Sequence, residues 1–119
     1  MRSYDNWPQD PDARWIEAGN TFGHHLITAA RDYARARVGE TVTESQRAVA
    51  HRAIDDAIYG VMMLLDGVSR TEIDSAHRVE YALIARMREG SRVVEEIELA
   101  PGGDGLCLGF HGWRNGDFG

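Results

Sequence analysis

The sequence predicts an α+β fold in which two helices pack on one face of a three-stranded antiparallel meander, in the order α-α-β-β-β and in two layers. Three observations predict it. Apolar residues recur at steps of three and four as far as Asp66, the period changes to two from Val79, and glycine-containing turns divide that second region into three short runs. At 119 residues the chain has material for one core, so a single domain over residues 1–119 is expected, with residues 1–9 and 112–119 as loosely ordered tails.

The first helix begins at Asp10-Pro11-Asp12. Asp10 can accept from free backbone amides, Pro11 tolerates the first helical position, and Asp12 suits the positive end of the helix dipole. Trp15, Ala18, Phe22, Leu26, Ala29 and Tyr33 then draw one apolar stripe. Gly19, Asn20 and Gly23 interrupt it, which divides the segment into a short helix and a longer one from Thr21, closed by Gly39 as a C-terminal cap.

The second helix runs from Thr43 to Asp66. Thr41 with Glu44 and Thr43 with Gln46 offer two overlapping capping boxes, and Gly67 supplies the stop. Val49, Ala53, Ala57, Val61 and Leu64 form one stripe, with Ala50, Ile54, Ile58, Met62 and Leu65 beside it. From Ala57 onward the helix is apolar nearly all round, so it must be covered on every side, by the first helix and the sheet or by another copy of the chain.

The expected first strand alternates Val79, Tyr81, Leu83, Ala85 and Met87 with Glu80, Ala82, Ile84, Arg86 and Arg88, and a tight turn at Glu89-Gly90 follows. The second alternates Val93, Glu95, Ile97 and Leu99 with Val94, Glu96 and Glu98. A turn over Ala100–Gly105 leads to a third, with Leu106, Leu108 and Phe110 on one face.

Composition narrows the function classes. A hydrophobic fraction of 43% with 27% charged residues belongs to a folded globular chain. Thirteen basic against 19 acidic residues give a net charge of -6, which opposes binding to nucleic acid or anionic membrane. Every basic side chain is arginine, which excludes lysine Schiff-base chemistry and a phosphate-loop lysine. The single cysteine, Cys107, excludes an internal disulfide and a multi-cysteine zinc site. Residues Met1–Pro11 lack the basic-then-apolar pattern of a secretory signal, and no apolar run approaches the roughly 20 residues of a membrane span, so a cytoplasmic location is expected.

Two groups of residues are candidates for a site. His51 and Asp55 stand at i and i+4 on the second helix and, with His24 of the first, could hold a divalent metal; Asp56, His25, His77 and His111 are further donors at no diagnostic spacing. Glu96 and Glu98 share a strand face that could meet a basic partner, and His111, Trp113 and Arg114 form an aromatic, glycine-flanked segment suited to recognition. No cofactor is expected, since dinucleotide, phosphate-loop, nucleophile-elbow and zinc-protease signatures are all missing.

The first expectation for function is a non-enzymatic protein-binding domain, homodimeric, of adaptor or toxin-neutralising type. A metal-dependent enzyme or metal-binding protein built on His51, Asp55 and His24 is the alternative. A small-ligand domain lined by Tyr59, Met62 and Met63 is the other.

Overall fold

The computed structural model describes residues 1–69, 71–103 and 105–119, and its class is α+β, with three helices and one two-stranded antiparallel sheet among the described residues. Asp10 caps helix α1, Pro11–His25, its carboxylate accepting from the Ala13 amide at 3.0 Å. The backbone passes Gly19 and Gly23 without a break. It widens into a π-type segment over Leu26–Arg31 and returns to α geometry in α2, Asp32–Ala36, so that α1 and α2 are the two ends of one continuous helix.

That widening corrects the expected stripe. Trp15, Ala18, Phe22 and Leu26 face inward as the spacing requires, but the wider turn rotates the residues beyond it. Ile27 takes the buried place, and Tyr33 is left 57% exposed. The helix also ends at Ala36, before Gly39, which is not in the left-handed conformation of a C-terminal glycine cap.

Helix α3 spans Glu44–Leu65, and the inner capping box wins. The Gln46 amide donates to Thr43 Oγ1 at 3.1 Å, and the Thr43 amide to Gln46 Oε1 at 2.8 Å. At the other end Gly67 adopts a φ of 72°. The amides of Gly67 and Val68 return to the carbonyls of Leu64 and Met63, so both ends close as their sequences dictate.

Strands β1, Ile84–Glu89, and β2, Arg92–Glu98, pair antiparallel around a two-residue loop at Gly90-Ser91, one position beyond the expected turn. The positive φ of 61° that this loop needs falls on Gly90. Val94 is the extra residue of a bulge, since Met87 pairs with Glu95 and Arg88 with Val93. Leu83, Ala85, Met87 and Ile97 turn toward the core, while Arg86, Glu96 and Glu98 face out. Residues 79–83, expected to begin the first strand, precede the ladder; the Leu99 amide donates to the Leu83 carbonyl at 2.8 Å and the Val79 amide to the Thr71 carbonyl at 3.0 Å, and an isolated bridge joins Glu72 and Arg78 just before them.

The third strand of the expected meander is a helix. α4 spans Leu106–Trp113, so the three-stranded, two-layer arrangement does not form. Leu106, Phe110 and Trp113 are also spaced four and three apart, and all three are buried, whereas Leu108, expected to face inward, is 77% exposed. A distant residue decides between the two periods. The buried Asp66 carboxylate accepts from the amides of Leu106 at 3.1 Å and Cys107 at 2.8 Å, satisfying two of the donors that the first turn of a helix leaves free.

The core gathers α1, the inner side of α3 and α4 around Phe110, Met62 and Leu106. Trp113 is locked in place by both a hydrogen bond and close packing. Its indole Nε1 donates to Asn20 Oδ1 at 3.0 Å, and its ring lies so close to Gly23 and Gly109 that neither could carry a Cβ without displacing it. Trp15 Nε1 donates to the Leu99 carbonyl at 3.0 Å, tying the end of β2 to α1.

Candidate functional site

Of the metal-candidate residues, His51 and Asp55 share α3 and His24 stands on α1, and their side chains have separate surroundings. Asp55 is held by Arg35, whose Nη2 lies 3.1 and 3.0 Å from the two carboxylate oxygens, so its charge is matched across the α2–α3 junction. His51 Nε2 is buried and has no hydrogen-bond partner among the described residues. His24 lies against Phe118, with ring centroids 5.2 Å apart. His77 pairs with Asp74 in an exposed turn. Among the described residues, no group of three or more histidine, cysteine, aspartate or glutamate side chains converges as a metal would require.

The partner-candidate residues separate into three environments. Glu96 and Glu98 are exposed on the outer face of the hairpin, and Arg86 Nε donates to Glu96 Oε1 at 2.8 Å. His111 and Arg114 lie on α4 and just beyond it, Arg114 exposed and His111 beside the Tyr59 ring at 5.4 Å. Trp113 has turned inward and is 4% exposed, so the aromatic segment anchors the core and presents only its polar neighbours.

Tyr59 and Met62, expected to line a ligand pocket, are also engaged with the core. Met62 is fully buried and Tyr59 packs against Phe110. Burial and the neighbouring Asp66 carboxylate push the Cys107 thiol up to about 11, so it stays protonated at neutral pH and is a poor nucleophile.

One polar cluster escaped the sequence reading. Glu95, brought inward beyond the bulge, meets Arg14 of α1 through Nε at 3.1 Å and Nη2 at 2.5 Å, and accepts from the Tyr4 hydroxyl at 2.6 Å. The Arg14 guanidinium holds the Glu95 carboxyl below the usual glutamate range, and the Tyr4 phenol, which donates to Glu95, is raised. Arg14 also lies over the rings of Tyr4 and Trp7, and so fastens the N-terminal segment to β2. Only the inward phase of Glu95 in the strand alternation hinted at this pairing.

The outer side of α3 is an apolar surface without a role in the fold. Of the two adjacent stripes, Ile54, Ile58, Met62 and Leu65 turn toward the rest of the chain. The other is left bare, with Val49 at 60%, Val61 at 51% and Leu64 at 36% exposure, and with Ala53, Ala57 and Gly60 exposed between them. No charged side chain lies within this stripe. A smaller apolar groove, about 280 Å³, opens between α1 and α4 beside Ile16 and Leu108.

No described helix is long and apolar enough to cross a membrane. Comparison with protein-family models, curated proteins and solved structures gives no match.

Proposed function

We propose that this chain is a non-enzymatic protein-binding domain that works as a homodimer, of adaptor or toxin-neutralising type. The observation that carries the reading is the bare apolar side of α3. A helix whose outer stripe holds Val49, Ala53, Ala57, Val61 and Leu64 in water gives up the burial energy that drives helix packing, roughly 25 cal/mol for each Å² left uncovered.

Overall dimensions support it. The chain has a radius of gyration of 16.7 Å, against about 13.5 Å for a compact chain of this length. Its accessible surface is 8185 Å², roughly a quarter above the ~6,400 Å² of a compact monomer of this mass.

Reactive side chains are meanwhile committed to structure: Asp55 to Arg35, Asp66 to the α4 amides, Cys107 to a protonated state. In this reading the hairpin docks the partner. Glu96 and Glu98 on its outer face favour a basic protein surface, in keeping with the net charge of -6. Native mass spectrometry at micromolar concentration tests the reading, the expected species being twice the polypeptide mass with nothing added. A spectrum holding only the single-chain mass overturns it.

A further inference from the structure

The outer stripe of α3 is symmetric about Asp55. Counting outward from that residue, Ala53 mirrors Ala57 and Val49 mirrors Val61, with the small residues Ala50 and Gly60 at matching distances on the two flanks; the match ends at Gln46 and Leu64, which differ. A two-fold interface needs this property, because each residue i that touches j on the partner must be matched by j touching i. Two such helices laid antiparallel, with the two-fold axis at the level of Asp55 and on the face opposite its side chain, bring small residues against small ones at the centre and valine against valine toward the ends, over about 18 Å of helix. Alanine and glycine at the centre let the axes approach to about 8 Å.

The rim charges specify direction. Arg52 and Asp56 both stand on one edge of the stripe, both are exposed, and neither enters an ion pair among the described residues. Antiparallel pairing about Asp55 places Arg52 within about 3 Å, measured along the axis, of Asp56 on the partner helix, and symmetry repeats the pair. Parallel pairing sets the same edge against the opposite one, where Ile54 and Ile58 at that level offer no counter-charge.

We infer that α3 pairs with α3 of a second copy, antiparallel and in the register that puts Ala53 opposite Ala57, with Arg52 to Asp56 ion pairs along one rim. This rests on the homodimer reading and gives it a seam. The test uses two full-length proteins, Ala53→Cys and Ala57→Cys, each in a Cys107→Ser background and one of them isotope-labelled. They are mixed, allowed to exchange and mildly oxidised.

The expected product is a disulfide joining one labelled to one unlabelled chain, with little cross-link from either protein alone. Each variant joining its own copies overturns the antiparallel register. A dimeric native mass with no cross-link overturns the seam and leaves self-association standing, whereas a monomeric mass removes both.

A charge exchange gives a second readout. Arg52→Asp should raise the dimer dissociation constant about tenfold, and Arg52→Asp with Asp56→Arg should return most of that loss. Equal affinity for all three proteins also overturns the register.

Discussion

Trp113 and the outer stripe of α3 are both apolar, and the chain treats them in opposite ways. Around Trp113, Gly23 and Gly109 remove two side chains so that an indole can lie against bare backbone, and Asn20 takes its one polar atom. On α3, Gly60 also stands beside valine and leucine, yet a Cβ added there meets nothing within 4 Å. Gly23 and Gly109 are fitted parts of a core, and Gly60 sits on a surface that no described residue covers. The difference teaches that apolar character alone does not mark a core position; the matching surface has to be present in the chain.

Two alanine substitutions would break this comparison most sharply. Gly23→Ala should gain up to about 1 kcal/mol in helix propensity and lose more by forcing Trp113 from its seat, for a net destabilisation of about 2 kcal/mol. Gly60→Ala should stabilise the chain by up to about 1 kcal/mol when measured at dilutions where it is monomeric, because only the propensity gain remains. Urea titration of both variants reads the two signs. Equal effects would mean that the Trp113 seat is no tighter than the open face of α3.

A second, smaller effect sharpens what holds α3 from within. Asp66 ends α3 and supplies the acceptors that start α4, so Asp66→Ala strands two buried amides and should cost about 2 kcal/mol. Asp66→Asn keeps one acceptor and should lose about half as much. Both variants leave the outer stripe untouched, so at concentrations where the chain stays folded their oligomeric mass should match the wild type.

Local signals were readable in the sequence, and long-range decisions were not. Asp10, the Thr43 and Gln46 box and Gly67 act on atoms within a few residues, and each does in the structure what its chemistry required. The segment at Leu106 fits a strand by one period and a helix by another, and the Asp66 carboxylate that settles it comes from 40 residues earlier in the chain. Asp55 looked like a partner for His51 four residues away and is taken by Arg35, 20 residues away on another helix. The two α3 stripes could be drawn from spacing alone. Which of them faces water depended on where α1, α4 and the sheet would pack, and the symmetry of the outer one acquires meaning only once its exposure is known.

The smallest expected effect concerns acid, and it separates the N-terminal fastening from both the Trp113 seat and the α3 stripe. Glu95 titrates below its ordinary value because Arg14 and Tyr4 hydrogen-bond its ionised form. A carboxylate whose pKa is lower in the folded chain contributes stability that is complete above the unfolded-state pKa of about 4.3 and is lost as pH falls through the folded value. Protonation of Glu95 should therefore weaken the hold of Arg14 on β2 below about pH 4 and leave it intact at neutral pH. The cluster is partly open to water, with the Glu95 side chain 24% exposed, so screening keeps the contribution modest. Glu95→Gln should lower neutral-pH stability slightly and flatten the acid limb of the stability curve, as followed by chemical denaturation from about pH 3 to 7. An acid limb of unchanged steepness in that variant would move the acid sensitivity from this cluster to other carboxylates, Asp74 first among them, since the Ala76 amide and the His77 ring hold its pKa down as well.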